Sequence, residues 1–145
     1  MPLSLPAQRV LTLEAARLAL AASEATALAN GWKVVIAVVD AGGHLVAAIR
    51  LDGTQTSSVD TALGKARAAV AFKRPTRVIE DMVNGPRPAF ATVPGAGASF
   101  ALLQGGLPIE VEGQVIGGVG VSGVKASDDE IVAGSGVQAL LAALG

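Results

Sequence analysis

Cysteine is absent from the 145 residues, so disulfides, cysteinyl zinc sites, iron–sulfur clusters and thiolate nucleophiles are excluded, which suits a reducing compartment. Tyrosine is absent too, and histidine occurs once, at position 44. A metal centre built from several histidines of one chain is thereby excluded. Aromatics are limited to Trp32, Phe72, Phe90 and Phe100, so the core must be assembled from Ala, Val, Leu and Ile. Neither sign of charge dominates: 11 Lys and Arg against 12 Asp and Glu give a net charge of -1. That balance argues against nucleic acid or an anionic membrane as a partner and leaves small molecules and other proteins. The first ten residues, MPLSLPAQRV, lack a basic leader followed by an unbroken apolar run, and Glu14, Arg17 and Glu24 interrupt the stretch from Leu11 to Ala29. Neither a signal peptide nor a membrane span is indicated, and a cytoplasmic location is expected.

Apolar residues are what the chain has in abundance, at 51% against 16% charged. A chain of this length is expected to form one domain, residues 1–145, and to leave apolar surface that a second copy covers. Residues 1–10 are expected to be a flexible or oligomer-contacting segment.

Thr12 caps an expected helix to about Asn30, closed by Gly31, and that helix is apolar nearly all round. The β-branched run from Lys33 to Val39, the turn Asp40-Ala41-Gly42-Gly43 and the stretch His44 to Arg50 read as a hairpin with a buried first strand. Asp52-Gly53 ends it. A helix is expected from Ser57 or Ser58 to about Phe72, and a short one capped by Thr76 to about Asn84. Between Gly85 and Gly106, Phe90–Val93 reads as a strand and Ser99–Leu103 as a strand or helical turn. Leu107–Val111 and Val115–Ser122 form a second hairpin around Glu112-Gly113, and Ser127-Asp128-Asp129-Glu130 reads as a capping box for a last helix to about Leu144. Two antiparallel hairpins among helices, without βαβ crossovers, specify an α+β sandwich.

His44 beside a turn is a hairpin residue first and a ligand or haem contact second; no G-x-S-x-G elbow accompanies it to support a hydrolytic triad. Period-two alternation places Arg50 on one strand face with His44, Val46 and Ala48, a candidate wall for an anion. Lys65, Arg67, Lys73, Arg74 and Arg77 put five of eleven positive charges within thirteen residues, either a solvated face or a means of holding carboxylates. Gly105-Gly106-Leu107-Pro108 lacks the pattern of a phosphate loop and enters a strand, but its N–H groups could form an anion nest. Further on, Gly118 and Gly120 share a face with Ile116 and Ser122 that carries no side chains at two positions. Either a helix or a flat ligand lies there, helix packing being the commoner arrangement.

Taken together, VVDAGGHLVAAIRLDG, Ser58-x-Asp60, Gly64-Lys65-Ala66, AFKRPT, and GGLPIEVEGQVIGGVGVSG before the acidic start at Asp128-Asp129-Glu130 resemble the GlcG/HbpS family over about residues 11 to 144. The resemblance implies a profilin-like three-layer α/β/α sandwich around a central antiparallel sheet, assembled into dimers and larger oligomers. It further implies haem or iron binding of the kind some relatives show, kinship with the corrinoid-associated C-terminal domain of PduO-type proteins, and a place beside catabolic enzymes. No histidine or tyrosine stands in the first helix to act as the haem ligand used by PduO-type relatives, which leaves His44 and Met82. The reading reached is a small-ligand-binding oligomer for haem or another tetrapyrrole. Its ligand-binding set is His44, Arg50, Asp52, Lys65, Arg74, Gly105, Gly106, Gly118 and Gly120, with His44 as the metal ligand. Two alternatives stay open. One is a cofactor-independent enzyme on an organic acid, with proton transfer by His44, Lys65 or Asp52 and an Arg clamp; the other is a ligand-free structural or regulatory oligomer.

Overall fold

The computed structural model, which describes residues 1–97 and 99–145, runs α1 (Leu13–Ala29), β1 (Val35–Asp40), β2 (Leu45–Arg50), α2 (Ser57–Phe72), α3 (Thr76–Val83), a 3-10 turn (Pro88–Thr92), β3 (Gly106–Val111), β4 (Gln114–Ser122) and α4 (Ala126–Ala143). The strands form one antiparallel sheet in the order β2-β1-β4-β3. The expected α+β sandwich is present, with α1 and α4 on one face of the sheet and α2 on the other. The central strand β1 is buried on both sides. Ile36 and Val38 join the core formed with Ala16, Ala19, Val132 and Leu140, while Val35, Ala37 and Val39 pack on Ala62, Ala66 and Val70.

Period-two reasoning fails at one place in each hairpin. Val38 pairs with Ala47 but Val39 with Leu45, so Val46 is an extra residue in β2. Ile109 pairs with Gly117 but Glu110 with Val115, which makes Ile116 extra in β4. A bulge carries its extra residue out of alternation. Both Val46 and Ile116 therefore pack with the α1/α4 core, and neither shares a face with Arg50 or with Gly118 and Gly120 as strict alternation predicts.

Helix α2 is what lies on the glycines of β4. Ser58, Ala62, Ala66 and Val70 recur every four residues, about 6 Å per step along a helix. Ser122, Gly120 and Gly118 recur every two, about 6.6 Å per step along a strand. The two repeats run in opposite directions and stay matched: Ser122 Oγ donates to Ser58 Oγ at 3.3 Å, and a Cβ on Gly120 would overlap the Ala62 carbonyl oxygen and lie 2.5 Å from Ala66 N. At Gly118 a Cβ would come within 2.9 Å of Ala66 O and Val70 Cγ2. Helix backbone thus rests directly on strand backbone, which only glycine allows.

Three local expectations change. Phe90 belongs to the 3-10 turn instead of a strand: Phe90 N donates to Arg87 O at 3.0 Å and Val93 N to Phe90 O at 3.3 Å, so its backbone groups close locally. Its ring meets Phe72 edge-on with centroids 5.1 Å apart. Ser99 to Leu103 contributes neither strand nor helical turn, only an isolated bridge between Phe100 and Ala96. Thr76 and Ser127 do not cap. Thr76 is itself helical and its Oγ1 accepts from Gly106 N at 2.8 Å, while Lys125 precedes α4 and Asp129 turns its carboxylate inward.

Candidate functional site

The turn between β1 and β2 is fixed by one carboxylate. Asp40 Oδ1 accepts from Gly42 N at 2.9 Å and from His44 N at 3.0 Å, and Gly43 N donates to Asp40 O at 3.0 Å. The His44 ring lies against Gly42, where a Cβ would come within 2.9 Å of His44 Cδ2. From α2, Arg67 reaches across and donates from Nε to Gly43 O at 3.0 Å. Its Nη nitrogens have no protein partner among the described residues. Six residues after Arg67, Lys73 closes α2 in a left-handed conformation, with φ 55° and ψ 40°. Phe100, whose ring meets Phe72 with centroids 5.3 Å apart, supplies an apolar wall.

These groups line one cleft of about 540 Å³, with His44, Arg67 and Lys73 as its basic side chains and Val70, Ala71 and Phe100 as apolar ones. The volume falls within the range of small-molecule sites, and the mixture of apolar wall and few convergent polar groups is the usual one. A guanidinium held at Nε offers its remaining fork to a carboxylate, and a lysine adds a point charge. Asp40, the carboxylate nearest the turn, is engaged by backbone N–H groups.

Of the residues read from the sequence as ligand-binding, His44 lines this cleft. Arg50 and Asp52 are exposed at the other end of the hairpin, six or more residues from His44 and thus roughly 20 Å along the strand. Arg74 is exposed, and its Nε donates to Phe72 O at 2.9 Å. Met82 is half-buried on α3 and lines neither cleft that includes His44. Gly118 and Gly120 lie under α2, as described above. Gly105 and Gly106 are buried as well: a Cβ on Gly105 would come within 2.8 Å of Lys65 Nζ, and one on Gly106 would overlap the Lys65 carbonyl oxygen.

Lys65 is 3% exposed, and its Nζ donates to Val121 O at 2.9 Å and to Asp129 Oδ2 at 3.1 Å. Asp129 Oδ1 accepts from Val124 N at 3.1 Å. Burial raises the Asp129 carboxyl above its ordinary range, opposed by the Lys65 charge and by N–H groups of Val124 and Gly123. The ammonium is committed to the interior and joins α2, β4 and α4. Arg67, Lys73 and Phe100 are the cleft residues that sequence reasoning did not select. The five-cation cluster contained the first two, but which of its members face a cleft depends on how α2 lies on β4 and on the left-handed turn at Lys73.

A family model described as haem degrading protein HbpS-like matches residues 11–138. The chain belongs to this HbpS-like family. Protein GlcG of Escherichia coli strain K12 is 42% identical over 113 residues, 78% of this chain and 81% of that protein. Among solved structures, Klebsiella pneumoniae protein ORFY superposes with a TM-score of 0.87 at 33% identity, covering 97% of this chain and 99% of that one. The PduOC:haem complex gives a TM-score of 0.83 at 25% identity, covering 90% and 95%. In this HbpS-like chain the motif blocks around Lys65, Gly105-Gly106 and Asp129 meet at one buried ion pair that joins α2, β4 and α4. Among the described residues no group of three or more His, Asp or Glu side chains is placed to hold a metal ion, and no helix is long and apolar enough to cross a membrane.

Proposed function

We propose that this protein binds haem, or a related planar ligand bearing carboxylates, in the cleft beside His44. The observation that carries the reading is that His44, Arg67 and Lys73 line one cleft together with Val70 and Phe100. The residues fit the group: apolar walls for a ring face, the anchored Arg67 and the exposed Lys73 for acidic substituents, and an exposed imidazole able to meet an iron. The description of the family as haem-degrading and the haem complex of PduOC support the same ligand class. When bound, haem would supply the iron; this chain supplies orientation and charge.

Self-association belongs to the same proposal. Leu13, Leu18 and Leu28 of α1 and Ile131 and Leu141 of α4 are exposed on the helical layer, apolar surface that a second copy would cover. We place the protein in the cytoplasm, in keeping with the absence of cysteine.

The test is a haemin titration followed in the visible spectrum. Micromolar protein is expected to shift the Soret band, His44→Ala to remove the shift, and Arg67→Ala to weaken binding about tenfold, the worth of one charge-assisted hydrogen bond. A wild-type spectrum identical to that of free haemin sinks the reading.

A further inference from the structure

We propose that the His44 cleft continues past Lys73 into a second anion subsite beneath the N-terminal segment, so that the trough accepts an elongated ligand with an acidic group at each end. The inference rests on the reading of the His44 cleft as a ligand site.

A second cleft of about 370 Å³ lies between Pro6, Ala7 and Gln8 on one side and Gly113, Gln114 and Val115 on the other. It shares Ala41, Val70 and Lys73 with the His44 cleft, so the two adjoin with Lys73 on their common border. The N-terminal wall is held in place. Gln114 Nε2 donates to Ala7 O at 2.9 Å, its Oε1 accepts from Arg9 N at 3.1 Å, and the Arg9 guanidinium pairs with the Glu112 carboxylate. A single amide thus holds the backbone on both sides of Gln8, much as a neighbouring strand would. Among the described residues no carboxylate lines this second cleft; its polar side chains are Gln8, Gln114 and Lys73. Amide N–H groups and one ammonium suit a carboxylate.

The backbone at Lys73 argues for the same role. As the left-handed cap of α2 it turns the chain so that Arg74 N donates to Ala69 O at 3.2 Å, a bond that requires the conformation of residue 73 but not its side chain. Glycine adopts φ 55° without strain, whereas lysine does not. A strained residue whose side chain stands between two clefts points to a use for that side chain.

Calorimetric titration with saturated dicarboxylates of increasing length, against monocarboxylates of equal length, tests the proposal. Beyond a threshold length the dicarboxylate is expected to bind at least tenfold more tightly. Lys73→Gly should melt no lower than wild type while reducing that ratio towards one, an outcome opposite to that of a merely structural residue; Gln8→Ala should reduce the ratio too. Equal affinity of the two series at every length, or a ratio unchanged in Lys73→Gly, overturns the second subsite. Haemin titration on the same preparation separates the two claims. A His44-dependent haemin spectrum without any dicarboxylate advantage leaves the His44 reading standing and removes this one. Absence of both removes both.

Discussion

Lys65 and Asp129 show how one buried pair can commit residues that look available. Their charges are 3.1 Å apart and nearly free of water, so each is tolerated only because the other is there. Lys65→Met or Asp129→Asn alone is expected to cost about 3–5 kcal/mol in urea denaturation, and Lys65→Met combined with Asp129→Leu to recover most of it. Recovery of nothing would show that the pair is not the source of the loss. The sign of the pH dependence follows from Asp129 holding its proton more tightly in the folded state. Between the ordinary carboxylate value, about 4, and the raised one, the unfolded chain binds fewer protons, so stability declines as pH rises through that window and levels off above it. Asp129→Asn should flatten that slope in melting temperatures recorded across the window. The sequence shows a lysine among cations here; its partner stands 64 residues away, and only the fold brings them together.

Between elements, glycine has two opposite meanings that the structure tells apart. Gly120→Val forces α2 off the sheet and is expected to cost about 3 kcal/mol or more, at the upper end of overpacking. Gly134 stands within α4 with only Leu107 Cδ1, 3.8 Å away, near where a Cβ would go. Gly134→Ala should therefore stabilise by up to about 1 kcal/mol, read as a rise in the denaturation midpoint at constant m-value. Both hairpins, α1, α2 and the approximate reach of α4 were legible because β-branched runs, turn glycines and the Thr12 cap act over a few residues. The bulges at Val46 and Ile116 were not, since a single added residue leaves no mark in composition yet reverses which face its neighbours occupy. Of the site, His44 and its turn were legible; Arg67 and Lys73 were visible only as members of a cluster, and the cap that aims Lys73 is a backbone conformation that its side chain does not announce.

For the whole molecule, the exposed leucines of α1 make a concrete expectation. If α1 and α4 cover one another between copies, Leu18→Glu or Leu28→Glu should lower the mass measured by light scattering while leaving the circular dichroism spectrum intact; an unchanged mass would move the contact elsewhere. The matched steps of α2 and β4 have a consequence of a different kind. Because four residues of one keep pace with two of the other, the seam works as a ruler with fixed graduations. Deleting a single residue between Gly118 and Ser122 would set side chains where the helix needs bare backbone, at several graduations together. Residues 84–97 and 99–104 lie outside that seam, so length variants among relatives should collect there and leave the interval from 118 to 122 uncut.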